Sequence, residues 1–200
     1  MSDIILPEVS LCAIVKNELS NKAGSIQEFV EHIVPFLGGA VILDTGSTDG
    51  TYKALKELEK KHKQLKIYQH SFEGYDASRN KSLQHVNTDF ALILDADERL
   101  STRYAKGEDA LTALRNLKTF MMQRQADSYG INSTLLVNGE WLDAPTLNPR
   151  IFRTNTGYFH GSPREQIYVL EKNPVVSNLL FMNSNFALLR DSLVEIKHYK

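Results

Sequence analysis

The sequence contains little cysteine and almost no net charge, and each shortage excludes a class of protein. The 200 residues include one cysteine, Cys12, which cannot form an intrachain disulfide and therefore fits a reducing compartment. A formal net charge of -1 offers no positive surface to a phosphate backbone, so we expect no nucleic-acid partner. No apolar run approaches the roughly 18 residues of a membrane span, and the first residues lack the basic start of a secretion signal. We therefore expect a soluble, cytoplasmic chain with no transmembrane segment.

The first half of the chain alternates short apolar runs with segments of helical periodicity. This alternation is typical of an α/β fold with a mostly parallel sheet flanked by helices. It predicts strands at 9–15, 40–43, 65–69 and from 90 onward, and helices beginning near Asn21 or Ser25 and spanning 51–61 and 76–86. After Glu98 a polar helical stretch is expected to about Lys118, followed by short strands at 128–137, 150–153 and 158–159. We expect a single domain over residues 1–200, with a nucleotide-side half (about 1–100) and a more irregular acceptor-side half (about 101–200).

An apolar, strand-like run over residues 90–94 ends in the acidic segment Asp95-Ala96-Asp97-Glu98. Ionised acids at the rim of an apolar core need compensation, and a divalent cation is a compact way to supply it. Because side chains alternate along an extended chain, Asp95 and Asp97 are predicted to project to the same side. Two hard oxygen donors suit Mg²⁺ or Mn²⁺. The alternative is that these acids are solvated residues of a loop or helix start.

A second polar loop, residues 44–51, follows the predicted strand at 40–43. The carboxyl ends of parallel strands form the ligand crevice of an open sheet, so this loop and the Asp95 loop are predicted to face the same space. Asp44 could accept hydrogen bonds from a ribose or base, while the alternative is a polar turn in which Asp49 or Thr51 caps the following helix. The run Asp44-Thr45-Gly46 also matches the aspartic protease signature. That reading needs a second such aspartate in an all-β fold, and the sequence has neither a second copy nor an all-β pattern.

Four segments together resemble the successive motifs of family 2 glycosyltransferases with the GT-A fold. They are SLCAIVKNE (10–18), VILDTGSTDGT (41–51), ASRNKSL (77–83) and LILDADERL (92–100), and the likeness continues more weakly through 148–153 to 163–165. The resemblance implies an inverting transfer of a sugar from a nucleotide-activated donor, usually a UDP-sugar. It also implies Mn²⁺ or Mg²⁺ as a cofactor on the donor diphosphate.

The resemblance further implies roles for particular residues. Around the nucleotide it places Glu18, Asp44, Arg79 and Asp95, with Arg79 either approaching the donor or bracing the acidic loop. For the metal it implies Asp97 with Asp95 nearby, completed by His198 in the late segment Ile196-Lys197-His198-Tyr199. A histidine so near the end of the sequence could equally be an exposed terminal residue.

An inverting transfer needs a base that deprotonates the acceptor. The relatives carry a Gly-x-x-His-Glu segment, and here the corresponding stretch is Gly161-Ser162-Pro163-Arg164-Glu165, with arginine in place of histidine. Glu165 is therefore the predicted catalytic base, with a surface ion-pair role as the alternative.

Two other functions stay open at the level of the sequence. A sugar-1-phosphate nucleotidyltransferase would normally have a Gly-rich, basic phosphate loop after the first strand, where this chain has Lys16-Asn17-Glu18-Leu19-Ser20. A non-catalytic module that binds a nucleotide sugar or glycan is the second alternative. The acceptor could be a glycan, a lipid, a protein side chain or a small molecule, and a partner subunit or a second copy of the chain could help to bind it.

Overall fold

The computed structural model describes residues 3–102, 109–137, 140–144, 149–161, 166–169, 186–189 and 194–199. The first half contains β1 (Leu6–Val15), β2 (Ser20–Asn21), β3 (Gly24–Ser25), α1 (Ile26–Ile33), a 3-10 turn (Val34–Phe36), β4 (Leu37–Asp44), α2 (Thr51–Lys61), β5 (Leu65–Gln69), α3 (Tyr75–Leu83) and β6 (Phe90–Ile93). The second half contains β7 (Glu98–Ser101), α4 (Ala110–Arg124), β8 (Ser128–Val137), β9 (Glu140–Ala144), β10 (Pro149–Arg153), β11 (Gly157–His160), β12 (Gln166–Val169), β13 (Phe186–Leu189) and β14 (Glu195–Tyr199).

Four parallel strands form the first half of the main sheet, in the order β5, β4, β1, β6. The side chains of β1, β4 and β6 are mostly buried on both faces, as expected for parallel strands covered by helices, whereas the edge strand β5 buries Leu65 and Ile67 and exposes Lys66 and Gln69. On one face, Leu11 and Ala13 of β1 pack in a core with α1, α2 and α4. On the other face, Cys12 joins a smaller cluster that includes Phe152 and Phe159. The alternation along β1 therefore separates two cores.

Local signals in the sequence explain where the helices begin. Ser25 caps α1 in a capping box, in which its hydroxyl accepts from the Glu28 N–H and the Glu28 carboxylate accepts from the Ser25 N–H. Helix α2 has the predicted bounds, and the Asp49 carboxylate accepts from the Thr51 N–H at 3.0 Å. Helix α3 begins at Tyr75, one residue before its predicted start, and ends three residues before its predicted end.

The prediction of a helical stretch directly after Glu98 is wrong. Residues 98–101 form β7, and α4 begins only at Ala110. The reason is a distant partner, because β14 pairs antiparallel with β7 and places His198 opposite Glu98. A polar segment of this kind has no local strand signal, so its extended form depends on the pairing.

The rest of the sheet is mixed. Strand β10 pairs antiparallel with β6 and with β8, while β13 and β14 pair parallel with β8 and β9 pairs with it antiparallel. The predicted strand at 128–137 is confirmed, and those at 150–153 and 158–159 are each slightly longer than predicted. The predicted α/β class with a mostly parallel sheet is confirmed. Within the described residues, no helix has the length and apolar character needed to cross a membrane.

Candidate active site

A cavity of about 490 Å³ opens at the carboxyl ends of the parallel strands. Its walls come from the end of β1, from the loops after β1, β4, β5 and β6, from α3, and from one side chain of β14. The lining residues are Ile14, Val15, Lys16, Glu18, Thr45, Phe72, Tyr75, Arg79, Asp95, Ala96, Asp97 and His198. The prediction that the loops after β4 and β6 face one space is confirmed, since Thr45 and Asp95 both line it.

The acidic segment forms a tight turn at the end of β6. The Glu98 N–H donates to the Asp95 carbonyl at 3.0 Å, so the chain bends here and does not continue as a strand. Asp95 and Asp97 both line the cavity, with side chains 38% and 34% exposed, and so does the buried Ala96. The two acids therefore reach the same cavity, as predicted, but the alternation along an extended backbone from which this was predicted is wrong.

Arg79 on α3 reaches across to this turn and binds Asp95. Its Nη2 donates to Asp95 Oδ1 at 2.7 Å, and its side chain is only 9% exposed. Burial alone would raise the pKa of Asp95, but the charge and hydrogen bond of Arg79 outweigh it and lower that pKa. Arg79 therefore braces the acidic turn while also lining the cavity.

Glu98 is a structural acid that the sequence reasoning did not single out. Its side chain is 1% exposed and accepts from both terminal nitrogens of Arg150, at 3.1 and 2.7 Å. Glu98 Oε2 also accepts from the Asp95 N–H at 2.9 Å. Burial raises the pKa of Glu98, with the charge of Arg150 opposing the rise. Arg150 begins the predicted strand Arg150-Ile151-Phe152-Arg153, but its partner lies 52 positions away, so no signal in the sequence identifies the pair.

His198 reaches the acidic turn from the other end of the sequence. Its Nε2 lies 3.0 Å from Asp97 Oδ2, and the Tyr199 N–H donates to the Asp97 carbonyl at 3.0 Å. The hydrogen bond to Asp97 is the main reason that the pKa of His198 is raised, against a smaller opposing effect of burial. His198 belongs to a paired strand and is 25% exposed, so it is not a frayed terminal residue.

The carboxylate of Asp97 and the imidazole of His198 are suitable donors for a hard divalent cation. Asp95 lines the same cavity, but one of its oxygens is bound by Arg79. Within the residues that the structure describes, no three His, Cys, Asp or Glu side chains converge closely enough to hold a metal ion. The three predicted ligands are thus only partly brought together. Asp97 and His198 are in contact, whereas Asp95 is bound by the guanidinium group of Arg79. This fits a metal that takes its remaining ligands from a diphosphate and water, as Mg²⁺ commonly does.

The loop after β1 is held by the loop after β4. Three consecutive N–H groups, those of Asn17, Glu18 and Leu19, donate to side chains at 47, 51 and 49 over 2.8, 2.9 and 3.1 Å. These donors are therefore not available as a phosphate cradle of the kind that a nucleotidyltransferase would need. The loop instead presents the Glu18 side chain to the cavity.

Glu18 is linked to the acidic turn through Asn21. The Asn21 amide donates to Glu18 Oε2 at 2.8 Å and to the Ala96 carbonyl at 3.1 Å. Burial raises the pKa of Glu18 most, the Asn21 hydrogen bond lowers it, and repulsion from Asp97 and Asp95 adds to the rise. Glu18 is thus a carboxyl group on the cavity wall that is harder to ionise than an ordinary glutamate.

Asp44 ends β4 next to Thr45, which lines the cavity, but Asp44 itself is fully buried and does not line it. Its Oδ1 accepts from the N–H groups of Gly46 and Ser47, both at 3.0 Å, as a turn residue does. Its Oδ2 is buried and has no hydrogen-bond partner among the described residues. Such an orphaned acceptor is costly and needs an explanation. Through Oδ1, Asp44 stabilises the polar turn that was the alternative for residues 44–51. Its Oδ2 is left for another donor.

The acceptor-side half of the chain gives less information about the site. Glu165 lies outside the described residues, so its role stays a prediction. Phe159 is buried, and its backbone N–H and carbonyl both bond to the Asn80 side chain, at 2.7 and 2.8 Å. Sequence reasoning missed Phe72 and Tyr75, which line the cavity. Their signal was two aromatic residues on either side of Glu73-Gly74, just before the segment that contains Arg79.

A family model, Glycosyl transferase family 2, matches residues 10–172 of this sequence. The chain belongs to this family. The predicted family and enzyme class, a glycosyltransferase, are thereby confirmed, and the match gives no support to the nucleotidyltransferase alternative. The α/β sheet around Asp44 excludes the aspartic protease reading. No sequence among the curated proteins matches the chain.

Solved structures support the same fold. The crystal structure of S. aureus TarS 1-349 matches with a TM-score of 0.65 at 19% identity, covering 96% of this chain and 60% of that one. The same fragment in complex with UDP-GlcNAc matches with a TM-score of 0.66 at 21% identity, covering 96% of this chain and 58% of that one. The chain thus spans less than two thirds of the length of these TarS fragments. At such identities the likeness establishes the GT-A fold.

Proposed function

We propose that this glycosyltransferase moves a sugar from a UDP-sugar donor to an acceptor with inversion, assisted by Mn²⁺ or Mg²⁺. The observation that supports the proposal best is the contact between Asp97 and His198 in a cavity that also contains the Arg79–Asp95 pair. This arrangement lies at the carboxyl ends of β1, β4 and β6, where open α/β sheets bind their ligands.

The charges of the cavity suit a nucleoside diphosphate as the leaving group. Breaking the glycosidic bond transfers negative charge to the diphosphate, which needs cations nearby. Lys16 lines the cavity and can approach the phosphates, while Arg79 fixes the orientation of Asp95. A bound divalent ion, held by Asp97 and His198, would act as a Lewis acid that stabilises the leaving diphosphate.

The buried Oδ2 atom of Asp44, next to the cavity-lining Thr45, supports a nucleoside in this part of the site. An N–H of the base or a ribose hydroxyl could donate to this oxygen and remove the cost of leaving it unpaired. TarS 1-349, which shares the fold, has been crystallised with UDP-GlcNAc and with UDP. We therefore choose uridine over other nucleosides, with Glu18 as a further wall of the nucleotide site.

Glu165 is the proposed base. An inverting transfer requires the acceptor hydroxyl to attack from the face opposite the leaving diphosphate and to lose its proton as it does so. The support for Glu165 is the resemblance of residues 161–165 to the base segment of the family. The acceptor class and any contribution of a partner subunit or a second copy remain part of the proposal.

A turnover assay tests this function. We expect release of UDP from UDP-sugars to require Mn²⁺ or Mg²⁺ and to stop in a chelator, and we expect Asp97→Asn to raise the transition-state barrier by several kcal/mol. Asp127→Asn is the matched control, because Asp127 forms an exposed ion pair with Arg153 and does not line the cavity. Full activity of Asp97→Asn in chelator would refute the metal role. Binding of UDP-sugars without turnover over a panel of acceptors would favour the non-catalytic module.

A further inference from the structure

Strand β11 lies against the body of the protein without joining the main sheet. Among the described strands, it pairs with β12 in a separate two-stranded sheet. Phe159 in this strand is nevertheless buried, and its ring packs edge to face against that of Phe152 on β10, with centroids 6.2 Å apart. Because a buried backbone N–H or carbonyl needs a hydrogen-bond partner, the edge of β11 that faces the body must obtain partners from another element.

Helix α3 supplies these partners through its side chains. The Asn80 amide donates to the Phe159 carbonyl at 2.8 Å, and the Asn80 side-chain oxygen accepts from the Phe159 N–H at 2.7 Å. Asn80 thus gives Phe159 the pair of hydrogen bonds that a neighbouring antiparallel strand would give. One turn earlier on α3, Asp76 Oδ2 accepts from the Gly161 N–H at 3.2 Å. Side chains of a single helix therefore hold β11 and the residue that follows it.

The same helix carries Arg79, whose guanidinium group contacts both β11 and the acidic turn. Arg79 Nη2 donates to Asp95 Oδ1 at 2.7 Å. Arg79 Cζ also lies 5.5 Å from the centroid of the Phe159 ring, which is within the range of a cation–π contact. Because the Arg79 side chain is only 9% exposed, it has little water around it, and a cation–π contact contributes more there than at the surface.

Two neighbouring stripes of α3 thus face two parts of the molecule. Tyr75 and Arg79 are four residues apart and both line the cavity. Asp76 and Asn80 are also four residues apart, and they hold β11 and its next residue. If β11 moved away from Asn80, the Phe159 ring would move away from the Arg79 guanidinium group. The position of β11 and the position of Arg79 are therefore linked through Phe159.

We propose that Asn80 is a positioning residue of the donor cavity. By fixing β11, it keeps the Phe159 ring against the guanidinium group of Arg79 and so keeps Arg79 on Asp95. Asn80 does not itself line the cavity, so it acts through Arg79 and without touching the donor. The inference rests on the proposed function for its consequence, which is tighter binding of the donor diphosphate beside the acidic turn.

Side-chain NMR of the ligand-free chain tests the positioning directly. We expect nitrogen relaxation of Arg79 Nε to report a rigid group in the wild type and a mobile one in Asn80→Ala. Phe159→Leu keeps the backbone hydrogen bonds of β11 but removes the ring, so it should also make Arg79 mobile. Asn87→Ala is the matched control, because Asn87 is an exposed asparagine shortly after α3 that does not line the cavity.

Calorimetry with UDP and Mn²⁺ tests the consequence for the donor. Asn80→Ala should weaken UDP binding by roughly 3- to 10-fold, a coupling typical of residues in one contact network. In an Arg79→Ala background, Asn80→Ala should change UDP affinity no further, because the residue through which it acts is already gone. A merely structural role would lower stability in both backgrounds and leave the UDP affinity of the folded chain unchanged. If Asn80→Ala does not fold, Phe159→Leu serves for the same comparison.

The outcomes distinguish this proposal from the function on which it rests. If Arg79 Nε stays rigid in both Asn80→Ala and Phe159→Leu, the positioning role is refuted and the proposed function stands. If Arg79 becomes mobile but UDP affinity is unchanged, the link to the donor is refuted. A loss of UDP affinity that persists in the Arg79→Ala background would show that Asn80 acts by another route, which also overturns the proposal. If the wild type binds no UDP, the proposed donor fails, whereas the NMR comparison still supports or refutes the positioning of Arg79.

Discussion

The two halves of the sheet are built from different kinds of contact. In the first half, β1, β4, β5 and β6 are parallel neighbours joined by helices, and the loops that follow them are held by hydrogen bonds between adjacent turns. In the second half, β14 pairs with β7 and β8, so residues close to 195 meet residues close to 100 and 133. The cavity draws on both, since His198 binds an aspartate 101 positions earlier in the sequence.

This difference separates the residues proposed to bind the nucleotide from those that contact the acidic turn. The side chains proposed for the nucleotide, Asp44 and Glu18, lie at the end of β4 and in the loop after β1, both in the parallel half. The acidic turn lies at the border, where Arg79 approaches from the first half and Arg150 and His198 from the second. We therefore expect changes to the proposed nucleoside residues of the first half to alter donor affinity. Changes at the acidic turn should alter the metal dependence of binding, and changes to Glu165 or Arg150 in the second half should alter turnover or stability.

The largest effect is expected for Glu165→Gln in the second half. This change keeps the size of the side chain and removes the proton acceptor, so transfer should fall by roughly 10²- to 10⁴-fold. The affinity for UDP, measured by calorimetry, should stay at the wild-type value. Asp143→Asn is the comparison, because Asp143 is a second carboxylate of this half, on β9. If Asp143→Asn shows this pattern and Glu165→Gln does not, the base has been misassigned.

A large effect on stability is expected for Arg150→Met. It leaves the buried Glu98 carboxylate without its two hydrogen bonds to the guanidinium group, which should lower the free energy of unfolding by about 3–5 kcal/mol. Arg153→Met on the same strand is the matched control, because the Arg153–Asp127 pair is 45% and 42% exposed. An exposed pair of this kind contributes about 0–1 kcal/mol. If urea unfolding gives the same loss of unfolding free energy for both variants, the Glu98–Arg150 pair does not stabilise the acidic turn.

A smaller effect, confined to the donor, is expected for Asp44. Asp44→Ala should weaken UDP binding by about 1–3 kcal/mol through loss of a charge-assisted hydrogen bond. Asp44→Asn can keep an oxygen for the Gly46 and Ser47 N–H groups, so it should preserve the turn while still weakening UDP binding. Unchanged UDP affinity in Asp44→Asn, measured by calorimetry on a variant with normal stability, would leave Asp44 as a turn residue only.

The smallest effects on stability are expected for two helix caps, one in each half of the chain. Ser25 caps α1 and the Asp109 side chain caps α4 by accepting from the Thr112 N–H. Replacing either residue by alanine should lower the free energy of unfolding by about 1 kcal/mol. Because a cap acts only on the first turn of its own helix, the two caps should contribute similar amounts to the free energy of unfolding. A loss for Asp109→Ala several times that for Ser25→Ala would show that the second half depends on its helix far more than a cap can explain.

The first half could be predicted well because its signals are local. The strand at 65–69 and the helix at 51–61 have the predicted bounds, since an apolar run or a helical period is complete within each segment. The loops after β4 and β6 could be placed together because a parallel sheet aligns its carboxyl ends. The residue types and positions in these loops were therefore enough to nominate Asp44, Asp95 and Asp97 as site residues.

The errors occur where distant segments meet. Strand β7 was expected to be helical because nothing near residues 98–101 reveals the pairing with β14. The Glu98–Arg150 pair joins residues 52 positions apart, so no spacing rule could indicate it. His198 was named only through the resemblance of its segment to the family, and its contact with Asp97 depends on the same pairing of β14. Phe72 and Tyr75 were missed because they have no periodic partner in the sequence, and only the structure shows that they line the cavity.

The most direct test of the account is the affinity of the wild-type chain for UDP, measured by calorimetry with Mn²⁺ and with a chelator. We expect clear binding with Mn²⁺ and much weaker binding in chelator, because Asp97 and His198 would hold the ion that bridges protein and diphosphate. The same titration of His198→Ala should show little difference between the two conditions. Binding of UDP that is equally tight with and without the metal, or no binding in either condition, would contradict the account.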